Sequence, residues 1–266
     1  LFRSNMARIS VLMGIYNCAP TLSEALDSLY AQTYQDFKII LCDDGSTDET
    51  YAVAKAYAGA HDNIVLVRNE KNMGLNYTLN HCLEYADTEY CARMDGDDIS
   101  LPTRFEKEIR FLDEHQEYAV VSCPMIYFDE RGDFRKGQGK GEVKKDDFLL
   151  GSPICHAPSM MRTEALKKVD GYAVSSRLLR VEDYHLWMRM YKEGYKAYIL
   201  SEPLYKMRDD RNAKIRRNWM TRRNEMYVMS IVPKMLGLPW YTKIYALRPL
   251  AAYLVPNWFY TIVHKR

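Results

Sequence analysis

Three carboxylates, Asp95, Asp97 and Asp98, fall within four positions of the stretch YCARMDGDDISLP (90–102), directly behind a run that reads as the end of a strand. Like charges at that spacing repel, and a turn needs only one Asp, so the cluster calls for a cation, a hydrogen-bonding partner or full solvation. A calcium loop would alternate its ligands and end on a distant Glu. An aspartyl nucleophile of the haloacid-dehalogenase type would stand where Arg93 does. The chain also lacks the glycine patterns of a P-loop or a dinucleotide-binding turn. Two readings remain. One is a solvated turn in which Asp98 or Ser100 caps the following helix, and the other is a hard-cation site that holds Mg²⁺ or Mn²⁺ on a substrate diphosphate.

Two more acidic clusters share this setting. Asp43-Asp44-Gly45-Ser46 ends a strand-like run and precedes a helix, which predicts a Ser46 cap paired with Glu49 and leaves Asp44 to seek a partner such as a ribose hydroxyl or a base N–H. Glu182-Asp183 opens a helix carrying Leu186, Trp187 and Met190. Acids in a first helical turn favour the helix dipole, and the alternative is a general base at the rim of a site. His156 reads as a structural histidine or as a group near phosphate or acceptor. Arg93 and Arg104 either neutralise phosphate or pair with the Asp cluster.

The elements needed to position these groups follow from periodicity. Strand-like runs at 8–17, 37–46, 63–69 and 89–95 alternate with helical patterns at 21–32, 47–58 and 74–86, the spacing of βαβ units. A parallel sheet flanked by helices is therefore expected, with polar residues gathered at the carboxyl ends of the strands, where such sheets bind ligands. Helix is predicted over 101–115 and a strand with a hairpin over 118–134. A mobile Gly/Lys loop is predicted over 136–145. After 160 come a strand, a short helix, a longer helix and an edge strand.

With 266 residues, 47% of them hydrophobic, the chain can bury a large core. Its six cysteines contain no C-x-x-C pair and mostly fall in apolar runs, so reduced, buried thiols of a cytosolic protein are expected. Leu1 to Asn5, ahead of Met6, are expected to be extraneous to the fold. From Leu204 onward 13 Lys/Arg face three acids, a net +10, whereas the preceding part carries 24 against 32, a net −8. An acidic body points to a divalent cation and a basic tail to phosphates.

Taken in order, SVLMGIYN, CDDGSTDET, NMGLNYTLN, ARMDGDDISLPTRFEKE, ICHAPSMMR, GY and VEDYHLWMRM resemble the family 2 glycosyltransferases with the GT-A fold, over about residues 8 to 205. The resemblance implies an α/β, Rossmann-like, mostly parallel sheet with a C-terminal helical appendage. It divides the chain into a catalytic domain over 6–205, with nucleotide-sugar binding in about 6–100 and acceptor binding in about 101–205, and an extension over 206–266. The implied donor pocket comprises Ile15, Tyr16, Asp44, Asn72, Gly74, Arg93, Met94 and Asp95. Asp95 and Asp97 would hold Mn²⁺ or Mg²⁺, and Asp183 would be the catalytic base of an inverting transfer from a nucleotide sugar, with uracil as the expected base. His156, Glu182 and Trp187 would lie toward acceptor or phosphate. Within the loop, Asp98 is expected to serve the turn or the next helix cap, and Gly96 to let the backbone approach the diphosphate. Gly14 departs from the Pro common in the family and is expected to loosen the backbone beside the nucleotide.

Beyond Leu204 the resemblance thins. The longest uncharged run, 249–263, is broken by Pro256 and Asn257 and is too short to span a bilayer. Arginines interleaved with Ile215, Trp219, Met226 and Met229 have the composition of a helix lying on anionic lipid, and the same helices could equally pack on the catalytic domain. The expected partners are a glycan or polyprenyl-linked oligosaccharide acceptor and an anionic membrane surface contacted through 206–266. The expected location is the inner face of the cell membrane. Nucleic acid is not expected, since no recognition motif is present. Two rivals are a nucleotidyltransferase, for which GIYNCAPT lacks the glycine-rich loop, and a catalytically silent glycan-binding relative, against which Asp44, Asp97 and Asp183 stand intact.

Overall fold

Strand β1 (Ile9–Ile15) is buried along nearly its whole length, and it pairs in parallel with β2 (Phe37–Asp43) on one side and β4 (Tyr90–Arg93) on the other. A strand covered on both faces reads as a continuous apolar run, as this one does. A computed structural model describes residues 7–209 and 219–254. Leu1 to Asn5, most of the basic stretch after Asp209 and the segment after Leu254 lie outside the described residues, and part of the expected lipid-facing helix falls there.

The helices α1 (Ala19–Tyr30), α2 (Thr50–Ala60) and α3 (Leu75–Glu84) connect β1, β2, β3 (Ile64–Arg68) and β4 as three successive crossovers. After the two-residue strand β5 (Ile99–Ser100) and α4 (Arg104–Glu114), the chain forms β6 (Val120–Ser122) and the hairpin of β7 (Met125–Asp129) and β8 (Gly132–Lys136). Next come β9 (Gly141–Glu142), a 3₁₀ turn at Lys145–Leu150, β10 (Met160–Arg162), α5 (Thr163–Lys168), α6 (Glu182–Lys192), β11 (Ala197–Ile199) and β12 (Tyr205–Arg208). The last described elements are α7 (Trp219–Leu236), a 3₁₀ stretch at Trp240–Leu247 and α8 (Arg248–Leu254).

Eight strands form the main sheet in the order β3-β2-β1-β4-β10-β6-β11-β9, and β5-β12-β7-β8 form a second sheet. The expected βαβ half is present. Past β4 the sheet departs from simple alternation because β10 enters antiparallel between β4 and β6.

Three local expectations are corrected. The stretch after β8 is not a free loop: β9 pairs with β11, and a side chain on Gly139 would meet the backbone of Leu200 and Ser201. For the same reason β11 is not an edge strand, because β9 covers its outer side. Finally, Ser46 does not cap α2. Its hydroxyl accepts from the Asn17 N–H at 3.0 Å, and Asp48 Oδ1 accepts from the Thr50 N–H at 3.0 Å instead.

Apolar residues pack on both faces of the main sheet, one group including Leu22, Leu26 and Phe105 and the other Leu79, Leu186 and Trp187. Helix α7 contributes Val228, Met229, Val232 and Leu236 to the second group, so one of its faces belongs to the core. None of the described helices is long and apolar enough to cross a membrane. All six cysteines are free; Cys42, Cys82, Cys91 and Cys123 are buried, and Cys18 and Cys155 are partly so.

Candidate active site

Register brings the acidic clusters to one edge. Ile15 lies beside Asp43, and Asp43 lies beside Arg68. On the other side of β1, Leu12 pairs with Arg93, so the chain leaving β4 emerges at the same edge. Because β10 runs antiparallel, the segment leading into it arrives there too, and the Arg93 N–H donates to Ser159 O at 2.8 Å.

The partner sought for Asp44 is the loop before α3. Its Oδ1 accepts from Asn69 Nδ2 and the Met73 N–H, each at 2.8 Å, and its Oδ2 accepts from the Gly74 N–H at 2.9 Å. These bonds occupy three of about four lone-pair directions of a carboxylate. Asp44 therefore shapes the wall that carries the exposed Asn72 and has little capacity left for a ligand. Gly45 has a φ of +69°, and a Cβ there would sit 2.6 Å from the Lys71 backbone, so only glycine lets the turn and the loop approach. Asn17 completes the stitching, its Oδ1 accepting from the Thr47 N–H at 2.9 Å. Tyr16, at the end of β1, is 45% exposed and faces outward.

The side chains of Ile15, Met94 and Arg93 are buried, so only their backbone can meet a ligand. Gly14 does not loosen the strand, because a Cβ there would press on Thr78 and Leu75 at 3.1 and 3.3 Å and its absence seats α3 against β1.

Each carboxylate of the 95–98 loop has a separate place. Asp95 Oδ1 is 2.5 Å from Arg93 Nη2. Asp97 reaches solvent, yet the surrounding protein and the charge of Asp95 push its carboxyl above the usual range. Asp98 is buried, and its Oδ1 accepts from the Arg208 N–H of β12 at 2.8 Å, so it does not cap α4. Burial, with Asp95 and Asp97 adding repulsion, raises it to about 8. The side chain of Arg208 also donates from Nε to Asp97 O at 3.0 Å and pairs with Glu24. A Cβ on Gly96 would be 2.7 Å from Cys18 Sγ, so this glycine serves the approach of its own loop to the start of α1.

Among the described residues no group of three or more His, Cys, Asp or Glu is arranged to hold a metal. Asp95 and Asp97 still fit a Mg²⁺-like ion, which takes one or two carboxylates and completes its shell from water and substrate phosphates. Their mutual repulsion is the strain that such a cation would relieve.

Arg93 is the electrostatic centre beneath the site. Burial, helped by the charge of Arg93, holds His156 well below the usual imidazole range, and the same charge adds a small effect that favours ionised Asp183. His156 Nε2 lies 2.8 Å from the Tyr172 hydroxyl, and its ring meets Trp187 edge to face at 5.9 Å. His156 is therefore neutral and packed. Trp187 is fully buried, so its ring lines no surface and packs beneath His156 instead. Arg104 is buried as well, paired with Glu108 at 3.1 Å and donating to Arg93 O at 2.9 Å, which ties α4 to the end of β4 and gives no contact with the acidic loop.

Asp183 occupies the first turn of α6, where its Oδ2 accepts from Ser152 Oγ at 3.1 Å. Burial lifts its carboxyl above the usual range, and it lifts Glu182 likewise, with Asp183 adding to the effect. The residue two before α6's N-cap-adjacent turn, Arg180, has a φ of +70°, a strained conformation for a long side chain. Sequence reasoning missed Arg208 and Ser152, neither of which lies in a pattern that marks its role; Tyr172 belongs to the GY pair, but its contact with His156 leaves no trace in the sequence.

The model for "Glycosyl transferase family 2" matches residues 10–170. EpsE of Bacillus subtilis (strain 168) is 40% identical over 261 residues, which cover 97% of this chain and 94% of that protein. The amylovoran biosynthesis glycosyltransferase AmsE of Erwinia amylovora is 32% identical, covering 86% and 87% of the two chains. The crystal structure of S. aureus TarS 1-349 in complex with UDP-GlcNAc superposes with a TM-score of 0.70 at 21% identity, over 93% of this chain and 71% of that one. The fold is accordingly that of the GT-A glycosyltransferases. With its acidic loop, its strand-end edge and these relatives, the chain belongs to glycosyl transferase family 2.

Proposed function

We propose that the protein is an inverting transferase that moves a sugar from a UDP-sugar to a hydroxyl of a lipid-linked glycan during polysaccharide biosynthesis. The observation that supports the reading is that Arg93, a buried cation, bonds Asp95 of the half-exposed carboxylate loop and also favours the ionised form of Asp183. A base must sit in a site that lifts its pKa toward the working pH while staying able to ionise. Burial supplies the lift, and the Tyr184 N–H, the Ser152 hydroxyl and, to a smaller extent, the charge of Arg93 limit it.

In the reaction, Asp183 takes the proton from the acceptor hydroxyl as that oxygen forms a bond to the anomeric carbon. The carbon–oxygen bond to the diphosphate breaks on the opposite face, so configuration inverts. Asp95 and Asp97 would hold Mn²⁺ or Mg²⁺, which when bound neutralises the charge of the departing diphosphate. Tyr16 and the wall shaped by Asp44, with Asn72 and Gly74, would seat the nucleoside. TarS in complex with UDP-GlcNAc and the mannosyltransferase PcManGT in complex with GDP-Man and Mn²⁺ support a nucleotide-sugar donor and a metal of this kind. The E. coli relative WfaP, named for glucosyl transfer onto α-D-GlcNAc-diphosphoundecaprenol, supports a lipid-linked acceptor. The protein would then work at the inner face of the cell membrane, its basic C-terminal region against anionic lipid.

Incubating the protein with a panel of UDP-sugars and Mn²⁺ tests the reading by slow hydrolysis or thermal shift. Asp183→Asn is expected to lower transfer by about 10²–10⁴-fold, the usual contribution of a general base, and to leave UDP binding intact. Near-parental transfer by that variant would remove Asp183 as the base, and no response to any nucleotide sugar would sink the whole assignment.

A further inference from the structure

A groove of about 570 Å³ opens between the 3₁₀ turn at Lys145–Leu150 and the 3₁₀ stretch at Trp240–Leu247. Its walls include Leu149, Leu150, Pro239, Tyr241, Ile244 and Tyr245. The volume lies within the range of small-ligand sites, roughly 300–1,000 Å³. Apolar groups around it stay in water: Trp240 is 84% exposed, Ile244 68% and Leu150 61%. Apolar side chains gathered on one exposed face mark a binding surface, so this cluster calls for an occupant.

The position of this groove identifies the occupant. Leu150 is followed by Gly151 and Ser152, and Ser152 is the residue bonded to Asp183. From Leu150 to Ser152 is at most about 7 Å of chain, so the groove ends within a sugar diphosphate's length of the base. Arg248 stands at that end, its Nη1 donating to Leu150 O at 2.8 Å. Asp146, the acid on the wall, begins the same turn about 8 Å of 3₁₀ rise away from Leu150. The groove wall is thus mostly apolar, with the Arg248 cation beside its Leu150 end and the acid Asp146 toward the other.

We propose that it binds the isoprenoid chain of a prenyl-diphosphate-linked acceptor, with Arg248 meeting the diphosphate and the glycan extending past Ser152 to Asp183. The inference rests on the lipid-linked acceptor named in the proposed function and adds the site that holds the lipid.

The test measures binding of geranyl, farnesyl and geranylgeranyl diphosphate to the full chain below their micelle-forming concentrations. Affinity should rise with chain length, and Ile244→Ser should weaken farnesyl diphosphate about tenfold, the loss of one apolar contact. Ile244 is exposed, so the fold should survive the change. Arg248→Gln should weaken all three ligands, while UDP binding and UDP-sugar hydrolysis stay at parental values in both variants. Equal affinity for farnesyl diphosphate and inorganic diphosphate would overturn the proposal. So would binding to phosphatidylglycerol vesicles without binding of prenyl diphosphates, which would mark a membrane-surface patch, and so would a solution dimer that Ile244→Ser dissolves. If prenyl diphosphates bind as described and no nucleotide sugar does, the groove stands and the transferase reading falls.

Discussion

The backbone N–H of Arg208 donates to Asp98 Oδ1 at 2.8 Å, joining β12 to the acidic loop across 110 residues of chain. The Arg208 side chain reinforces that bond by holding Asp97 O. Arg208→Ala removes the charged donor and leaves the backbone bond in place. Apparent Mn²⁺ affinity, titrated in the presence of UDP, should fall about tenfold, as loss of one charge-assisted hydrogen bond implies. Saturating metal should restore most of kcat, and Arg208→Lys should recover part of the affinity, whereas a merely structural lesion would lower kcat at every metal concentration.

Asp98 itself sets a pH dependence of stability. Its carboxyl titrates near 8 in the fold because of burial and its two acidic neighbours, far above its ordinary value of 3.8. Between those limits the folded protein keeps a proton that the unfolded chain has released, so stability contributed by the neutral form is full below about pH 4 and gone above about pH 8. Asp98→Asn keeps an acceptor for the Arg208 N–H and has no charge to bury. In metal-free buffer its Tm should exceed the parental value by a margin that widens from pH 4 to pH 8 and then levels. A margin that is constant with pH would mean that Asp98 does not titrate in this range.

The Ser152 hydroxyl favours the ionised form of Asp183. If Asp183 is the proposed base it must be ionised to accept a proton, so transfer should rise with pH through its titration. Ser152→Ala removes a bond of about 1 kcal/mol, moving that rise to higher pH and costing about fivefold in kcat/KM on the acid side. Rates on the alkaline plateau should coincide for the two proteins. A uniform loss at all pH values would show that Ser152 acts otherwise.

Asp44 accepts from three N–H donors of its own chain. Asp44→Ala should therefore destabilise the protein by roughly 2–4 kcal/mol with no nucleotide added, because partly buried donors lose their acceptor. Thermal unfolding without ligand measures it, at about 2–4 °C per kcal/mol for a chain of this size. An unchanged Tm combined with lost UDP affinity would instead make Asp44 a direct ligand contact.

What could be read from the sequence follows a physical division. β1 to β4 and their helices carry continuous apolar runs and helical spacing, so the parallel half and its polar edge were legible, and Asp95 and Asp97 follow β4 directly at that edge. β12 was not legible, because four residues with two cations and a half-exposed face show no alternation. β9 is two residues long and carries no pattern at all. The bonds of Asp44 to Met73 and Gly74 and of Ser46 to Asn17 span about thirty residues each, and hydrogen bonds at such separation leave no periodic trace. Gly14 and Gly96 were visible as glycines, but the side chains that crowd them come from other elements.

The clamp on the acidic loop has a consequence in time. A chain is made from its N-terminus at about 5–20 residues per second, so the parallel half emerges with all of its carboxylates before β12 exists. Until residues 205–208 arrive and pair with β5 and β7, the 95–98 loop has three crowded acids and no latch. The order of synthesis thus makes the acidic loop one of the last parts of the sheet edge to settle, although its own residues are among the earlier ones made.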